Sequence, residues 1–414
     1  MFRRAKILVA TIFCLAGCQS DADRLLAPSD DPADYQVDTS VEYEAVASEP
    51  RWVVPSAGLP AEVEPMASNA NVDIVFFEDR LFMAWRSAPY HFASTETKMY
   101  IVSSVDSGQS WDFEDLIDLQ SDMREPRFLS INDSLHLIFF QAGTNPLAFE
   151  PQRIWRTKRR AFGDWTKTAI MLDEPEVPWD LKVRNGIAYL TSYKGDHYSN
   201  EEDAYVDVFF KYSLDGQEFQ LLDGKEYVYR GGVSEVAFEF DQDGSLWTVT
   251  RNEDGDATGF GSHVCVAQPD ALAEWDCPQQ SDPERYDSPD MFRHGDDIYL
   301  VARRDVGGPY DQGDDSLTFL EQRSKYLKDY SMRPKRTALY KIDKERRAVV
   351  HLFDLPGNGD TAFPAVRRTG RDTFLLANYS SPLDDPDISW IDGQTSQAGT
   401  QLYLLTLSMV PKDP

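Results

Sequence analysis

The sequence is short of positive charge. Its 414 residues include 41 lysines and arginines against 70 aspartates and glutamates, which gives a formal net charge of -29 at pH 7. A surface with this charge repels nucleic acid and other polyanions, so we expect no nucleic-acid partner. An anionic ligand would bind only where a local group of arginines overcomes the overall field.

Motifs for several common kinds of chemistry are also missing. The sequence has no phosphate-binding loop leading into a helix, no helical zinc motif and no Ser-His-Asp signature. The glycine-rich stretch GFGSH at 259–263 is not followed by a predicted helix, so it does not indicate a nucleotide site. We therefore expect the protein to use neither a cofactor nor a metal ion.

The N-terminus has the pattern of an export signal. Three basic residues precede an apolar run over 7–16, which is too short to span a membrane, and small residues follow it. The stretch LAGC at 15–18 resembles a bacterial lipobox, which implies a lipoprotein signal peptide over 1–17 and a lipidated Cys18. Gln19, in place of aspartate, implies the outer membrane, on either its periplasmic or its outer face. The alternative is an ordinary signal peptide with an incidental cysteine.

The mature chain is expected to begin with a tether. Removal of residues 1–17, which hold three basic and no acidic residues, changes the formal net charge from -29 to about -32. Residues 18–50 are acidic, contain several prolines and lack a periodic apolar pattern, so they predict a flexible segment. We expect a monomer that meets the membrane only through its lipid, with the folded domain over 51–410.

Cysteine is scarce in that domain. Only Cys265 and Cys277 remain, 12 positions apart on either side of a predicted turn. In an oxidising compartment this spacing favours a disulfide between neighbouring strands over a metal site, because no further His or Cys lies at zinc-like spacing. Two free thiols are the alternative.

From residue 51 onward, β-rich runs alternate with Asp, Asn and Gly turns, and helix formers cluster only around 317–327. Six stretches share one plan, an apolar strand, a tight polar turn and a second strand, followed in most cases by a further pair. They begin roughly 50 to 70 residues apart, a repeat typical of a β-propeller. The six stretches are 72–86, 125–140, 179–194, 234–251, 288–304 and 360–379.

The repeat predicts an all-β, six-bladed propeller, with seven blades as the alternative. The sixth unit lacks a strand after residues 400–408, and RWVVPS at 51–56 can supply it. The two ends of the domain would then close the ring together.

One short motif identifies a family resemblance. The stretch after the third strand of blade one reads Ser-x-Asp-x-Gly-x-Ser-Trp, and YSLDGQEF at 212–219 is a degraded copy in blade three. This pattern resembles the Asp-box of the sialidase (neuraminidase) superfamily. In that superfamily the box is a folding element on the face away from the substrate, which implies a structural role for Ser104, Asp106, Gly108 and Trp111.

The candidate site lies at the opposite mouth. The loops between second and third strands, and the entries to each blade, meet at one end of a propeller channel, where the sequence places a ring of acids and arginines that includes Glu125 and His197. Each of these residues has a plainer explanation, since strand ends are polar where they meet water. The predicted substrate-binding residues are Arg86, Arg124, Asp180, Tyr193, Arg251, Arg303, Asp360 and Tyr379.

The resemblance to sialidases is partial at this mouth. It maps the acid that supports their nucleophile onto Glu235 and a carboxylate-binding arginine onto Arg251. Their first arginine is missing, Phe363 stands where the tyrosine nucleophile belongs, and His91 lies where the general-acid aspartate is expected. The pattern is closer to sialidase-like glycan lyases and atypical glycosidases.

We therefore predict that His91 and Glu235 are catalytic. A surface-anchored, exo-acting glycoside hydrolase or polysaccharide lyase on a uronate- or sialate-containing extracellular glycan is the favoured function. The alternative is a non-catalytic propeller that binds a glycan or a protein.

Overall fold

The protein is described from a computed structural model over residues 30–199, 201 and 203–412. It is all-β, with six sheets arranged as the blades of a propeller, which confirms the six-bladed prediction over the seven-bladed one. The predicted signal peptide and Cys18 lie outside the described residues. No helix in the described ranges is both long and apolar enough to cross a membrane.

Two strands precede the first blade, and blades one to three follow in chain order. The early strands are β1 (Tyr43–Ala47) and β2 (Arg51–Val54). Blade one contains β3 (Ser68–Phe77), β4 (Arg80–Ala88), β5 (Lys98–Ser104) and β6 (Asp112–Ile117). Blade two contains β7 (Asp122–Ile131), β8 (Ser134–Ala142), β9 (Pro151–Ala161), β10 (Asp164–Trp165) and β11 (Ala169–Leu172). Blade three contains β12 (Val177–Arg184), β13 (Ile187–Gly195), β14 (Val206–Ser213), β15 (Gln220–Leu221) and β16 (Tyr229–Gly231).

Blades four to six complete the ring. Blade four contains β17 (Val233–Phe240), β18 (Leu246–Asn252) and β19 (Val264–Ala267). Blade five contains β20 (Asp287–His294), β21 (Asp297–Asp305), β22 (Lys335–Asp343) and β23 (Ala348–Leu355), with helix α1 (Phe319–Ser331) inserted before β22. Blade six contains β24 (Ala365–Gly370), β25 (Thr373–Ser380) and β26 (Gln401–Pro411), with the short helix α2 (Trp390–Thr395) between β25 and β26.

Tight hairpins join the first two strands of a blade. In blades one to three the two turn residues both have positive φ: Glu78 and Asp79, Asn132 and Asp133, Asn185 and Gly186. Two successive positive φ values define the turn whose twist matches that of the flanking strands. The polar turns seen in the sequence repeat are therefore the direct cause of the paired strands.

The ring closes through the N-terminal strands. β2 pairs antiparallel with β26 from Arg51 to Val54, as predicted, and β1 pairs with another part of β26. The tether prediction over 18–50 must be corrected at this point, because β1 lies within that range and is a strand of blade six. Before it, Asp30 contacts Arg367 and Asp31 accepts a hydrogen bond from the Asn185 amide, so this segment lies against the end of the channel away from the predicted mouth.

The turn between β5 and β6 is built by its own side chains. The Ser104 hydroxyl donates to Asp106 at 2.7 Å and accepts from the Gly108 amide at 2.7 Å. Gly108 has φ of 81°, and an added Cβ would lie 2.9 Å from the ring of Trp111, which is buried. Because β5 runs from the mouth loop to this turn, the turn lies at the end away from the mouth. In blade three, Ser213 and Gly216 form a similar contact.

Cys265 and Cys277 form a disulfide with a Cα to Cα distance of 4.2 Å. The segment that carries Cys277 bridges β19, where Asp276 pairs with Val266. The disulfide thus joins the outer edge of blade four to a short strand-like segment.

Candidate functional site

A pocket of about 110 Å³ lies at the mouth where the blade entries and the loops between second and third strands meet. Seven predicted site residues line it: His91, Arg124, Tyr193, Glu235, Arg251, Arg303 and Tyr379. Asp360 lies directly behind it. Arg86 and Asp180 do not line this pocket.

A repeated β-bulge explains how first strands present side chains to this mouth. The pairing register shifts between Ala70 and Asp73 in β3, and at the matching positions in β7, β12, β17 and β20. A bulge adds one residue to a strand and re-aims the side chains next to it. Three pocket residues at these bulges, Asn71, Glu125 and Ser288, have positive φ between 49° and 53°.

His91 is paired with a carboxylate from the other end of the chain. Its Nδ1 lies 2.7 Å from Asp360 Oδ2, and the other oxygen of Asp360 accepts a hydrogen bond of 2.9 Å from the Tyr379 hydroxyl. The carboxylate favours the tautomer with a proton on Nδ1, so Nε2 is the acceptor. Burial lowers the pKa of His91, against the opposing effect of Asp360. The imidazole is therefore neutral near pH 7 and can act as a base.

Arg86 was predicted to bind substrate, but it lies behind the loop that carries His91. It is 1 % exposed and donates to Asp122 at 2.9 Å and to the Phe92 carbonyl at 2.8 Å. It also donates to the Tyr90 carbonyl at 3.4 Å. Because these contacts hold the loop on both sides of His91, Arg86 is a positioning residue and not a ligand of the pocket.

Three guanidinium groups face the pocket from three blades. Arg124 is held by Asp122 at 2.5 Å and by the His91 carbonyl at 2.9 Å. Arg303 donates to the carbonyls of residues 361 and 362 at 2.5 and 3.1 Å, and lies 4.8 Å from the ring of Trp390. With Arg251, they form a fixed cationic surface that can bind a carboxylate or sulfate.

Glu235 holds Arg251 rather than standing free. One of its oxygens accepts from Arg251 at 2.5 Å and the other accepts from the Ser288 amide at 2.7 Å. Arg251 also contacts Glu253 at 2.6 Å and Asp287 at 3.2 Å. Burial raises the pKa of Glu235. With both oxygens occupied, this carboxylate is better placed to orient the arginine than to transfer a proton.

Glu125 is the freer carboxyl of the pocket. Its single hydrogen bond among the described residues comes from the Asn71 side-chain amide at 3.3 Å. Burial raises its pKa to about 8, with nearby Arg127 opposing the change and Glu235 adding to it. Glu125 is thus protonated near pH 7 and can donate a proton. The sequence placed it in the ring, next to Arg124, but assigned it no role.

His197 and Tyr198 complete one wall. His197 contacts Glu253 at 2.8 Å and also Asp254, and its pKa is raised to about 9 because these two carboxylates outweigh the cost of burial. Its ring stacks on Tyr198 at 3.8 Å, and the Tyr198 hydroxyl lies 3.3 Å from Arg251. A positive φ of 64° at Tyr198 turns the chain at this wall.

Asp180 lies inside the channel, away from the pocket. It binds Lys182 at 3.0 Å and accepts from the Phe238 amide at 2.9 Å. Asp73 and Asp290 accept in the same way from the first strands of blades two and six. These three aspartates, from alternate blades, link each odd blade to the next and have a structural role.

Aromatic residues close the pocket toward the channel. Phe363 lies in its lining, and Arg127 packs on the Phe363 ring at 4.5 Å and on the Trp179 ring at 5.1 Å. Trp390 of α2 covers another side, and no sequence signal marked that residue. The pocket is therefore blind.

A cavity larger than this pocket lies elsewhere in the protein. A cavity of about 630 Å³ lies at the far end of the channel, between Asp30, Lys182 and Arg367. No histidine is among the described residues that line it, whereas the smaller pocket holds His91, Glu125 and three arginines. No group of three or more potential metal ligands is arranged around a common point within the described ranges.

Comparisons with known proteins support the fold. No protein-family model and no curated protein matches the chain. Among solved structures, a protein of unknown function from Dyadobacter fermentans is similar, with a TM-score of 0.56 and 12 % identity over 88 % of this chain and 99 % of that chain. Trypanosoma rangeli sialidase in complex with the inhibitor DANA gives a TM-score of 0.55 and 11 % identity over 88 % of this chain.

A Hadza microbial sialidase has a TM-score of 0.50 and 10 % identity over 84 % of this chain. The matches span 59 % of the Trypanosoma sialidase and 66 % of the microbial one, so this chain matches only part of each. At these identities the similarity establishes a sialidase-like propeller fold.

Proposed function

We propose that the protein is a carbohydrate-active enzyme that cleaves the end residue of a carboxylate-bearing glycan by β-elimination. The observation that carries this proposal is the His91–Asp360 pair beside three arginines in a blind pocket. A blind pocket accepts a chain end more readily than the middle of a polymer, so the proposed action is exo.

The chemistry follows from the charges. The guanidinium groups of Arg124, Arg251 and Arg303 bind the uronate carboxylate and stabilise the negative charge that develops when the neighbouring carbon loses its proton. His91 Nε2 takes that proton. The bond from the adjacent carbon to the leaving oxygen breaks, and a carbon–carbon double bond conjugated to the carboxylate forms.

The leaving oxygen needs a proton, and Tyr193 can supply it. Its hydroxyl has no hydrogen-bond partner among the described residues, and burial near Glu235 raises its pKa well above the usual value. It therefore stays protonated until the leaving oxygen takes its proton. Asp360 holds the imidazole of His91 and balances the charge that it gains.

Hydrolysis is the second candidate, and Glu125 favours it. A buried carboxylic acid with a raised pKa is typical of the general acid of glycosidases. In that reaction Glu125 would protonate the leaving oxygen while His91 activates a water molecule. A sialidase mechanism is not proposed, because Phe363 has no hydroxyl to attack the sugar.

The test is a screen of the purified protein on ulvan-like, rhamnosyl-glucuronate and sialate-containing glycans. Elimination gives an unsaturated uronate that absorbs ultraviolet light, whereas hydrolysis gives reducing ends without that absorbance. Saturable binding with no product on any of these glycans would favour the non-catalytic alternative and overturn the enzymatic proposal.

We also propose that the enzyme is a monomeric outer-membrane lipoprotein attached through Cys18. The lipobox-like LAGC sequence supports this location. Cells that incorporate labelled palmitate should label the native chain, and the Cys18→Ser variant should carry no label and leave the membrane fraction. Label retained in that variant would contradict the anchor.

A further inference from the structure

A second cavity of about 290 Å³ opens on the same face as the central pocket. The loops after β13 and β18 and the start of α1 form it. All three elements connect second and third strands, so they project from the mouth.

Arg323 is the unusual residue of this cavity. It lies on α1, is 5 % exposed and lines the cavity. Across the described ranges its guanidinium has no ion pair or hydrogen bond. A charged group that is buried to this degree normally has a partner, because burial removes its hydration. The missing partner is therefore expected to be a ligand.

The acidic residues of the cavity do not neutralise Arg323. Asp254 is paired with His197 and accepts from the Tyr198 amide at 3.2 Å. Asp256 accepts from Tyr229 at 2.7 Å and from the Thr258 hydroxyl at 2.6 Å. Neither carboxylate forms an ion pair with Arg323, so the donors of this guanidinium stay available to a ligand anion.

The rest of the lining suits a sugar. Phe319 is 37 % exposed, and its ring stacks on Phe260 at 4.9 Å, so it is held as a flat apolar surface. Asp196 is exposed at the rim and can accept bonds from hydroxyl groups. An arginine, an aromatic face and a hydroxyl acceptor together match an acidic sugar.

The two cavities share a wall. His197 lines the central pocket, Asp254 lines the second cavity, and the two side chains are in contact. The two cavities are therefore neighbours, separated by this pair of side chains.

We propose that the second cavity binds an anionic sugar residue of the substrate, with Arg323 forming a bidentate contact to its carboxylate or sulfate. This inference rests on the proposed function, because it assigns the cavity to the residue next to the one that reacts. It makes the charge of that neighbouring residue a determinant of specificity.

The test compares Arg323→Gln with Lys328→Gln. Lys328 is an exposed residue of the same helix, so its replacement removes the same charge without touching the cavity. Crystals of the full-length chain and both variants are soaked with sodium selenate, whose anomalous signal marks a sulfate-like anion, and separately with sodium glucuronate. Affinities for uronate-containing tetrasaccharides, with and without sulfate, are measured by calorimetry in a His91→Asn background that prevents turnover.

We expect selenate or glucuronate beside residue 323 in the native chain and in Lys328→Gln, and neither in Arg323→Gln. Loss of a charge-assisted contact predicts about 10- to 100-fold weaker tetrasaccharide binding for Arg323→Gln. Lys328→Gln should stay within about twofold, as expected for an exposed charge. Selenate binding identifies a sulfate group and glucuronate binding a carboxylate.

Native crystals without either anion in the cavity, together with unchanged affinity in Arg323→Gln, would overturn the inference and leave the proposed function intact. Anion binding that leaves tetrasaccharide affinity unchanged in Arg323→Gln would also overturn it. Anion binding at Arg323 in a protein that binds no glycan would instead contradict the proposed function while the anion site stands.

Discussion

His91 and Asp360 are 269 positions apart in sequence, and their side chains meet at 2.7 Å. The histidine lies on the loop after β4 of blade one, and the aspartate enters blade six. Because blade six closes the ring against blade one, this contact forms only when the propeller is complete. In the proposed mechanism, the base is therefore assembled only when the ring closes.

Replacement of either residue of this pair should abolish activity. His91→Asn keeps a donor for Asp360 and removes the base, so a loss of about 10²–10⁴-fold in kcat/KM is expected. Asp360→Asn should cause a similar loss because the imidazole tautomer is no longer fixed. Steady-state kinetics on the glycan found by the screen measures both effects.

His351 provides the matched control. It forms a comparable pair with Asp354 at 3.0 Å, but at an exposed position in blade five. His351→Asn should retain full activity. Equal activity in His91→Asn and His351→Asn would remove the proposed base.

The pH profile of kcat/KM should be bell-shaped. Activity needs neutral His91, whose pKa is lowered by burial, so it should rise with pH through a midpoint below 6.5. Glu125, whose pKa is about 8, must also stay protonated, in hydrolysis to donate its proton and in elimination because its charged form would repel the substrate carboxylate. Activity should therefore fall as the pH rises through about 8. Rates measured between pH 4 and pH 10 test both limbs.

Glu125→Gln separates the two candidate reactions. Glutamine does not titrate, so the alkaline limb near pH 8 should disappear in either case. In hydrolysis the proton donor is lost, and the rate at pH 7 should fall by about 10²-fold or more. In elimination with Tyr193 as the donor, the rate should stay within about tenfold. An unchanged alkaline limb would show that Glu125 does not control it.

The charged form of His197 should stabilise the fold, so the contribution of this residue to the free energy of unfolding should depend on pH. Its folded-state pKa of about 9 lies above the unfolded value of about 6.5. The stabilisation is therefore complete below pH 6.5 and is lost as the pH rises through 9. His197→Gln should reduce the free energy of unfolding by about 3 kcal/mol at pH 6 and by much less at pH 10.

The contribution of His136 to stability should change with pH in the opposite direction, so His136 serves as the control. Burial and two nearby basic residues lower its pKa to about 4, so its contribution is present above pH 6.5 and declines as the pH falls through 4. Denaturant unfolding of both glutamine variants at several pH values measures the difference. A His197→Gln deficit that does not shrink between pH 6 and pH 10 would contradict a charged His197.

Periodic features of the sequence made the fold predictable. Polar turns such as Asn185-Gly186 recur at regular spacing, and each fixes a hairpin locally. The missing strand after residues 400–408 pointed to Arg51–Val54 because a ring leaves no free edge. The acidic segment ahead of it concealed β1, whose alternating exposure gives a weak apolar pattern.

The roles of single residues were harder to predict from the sequence than the fold was. The positions of His91, Arg124 and Arg251 at strand ends predicted that they share one mouth, and all three line the same pocket. The sequence does not show which way a bulged strand turns its side chains. Asp180 lies within the bulge of β12, between Pro178 and Leu181, and contacts Lys182 in the channel. Arg86 precedes the pocket loop and holds its carbonyl groups. Both assignments depend on geometry that forms only after the blades pack.

Removal of the disulfide should destabilise blade four in particular. Within the described ranges, the sheet of blade four has three strands. Its outer edge is completed by the pairing of Val266 with Asp276, next to the Cys265–Cys277 disulfide. A disulfide that closes a loop of about this size contributes about 3 kcal/mol, largely by restricting the unfolded chain. The Cys265→Ser, Cys277→Ser double variant should therefore unfold at a lower denaturant concentration.

The reducing agent supplies the internal control for that prediction. Dithiothreitol should lower the unfolding midpoint of the native chain to that of the double variant, and it should not change the midpoint of the variant itself. Neither cysteine lines the His91 pocket, so glycan turnover by the folded variant should be unaffected at low temperature. A double variant that unfolds at the native midpoint would show that the β19 pairing alone holds the outer edge of blade four.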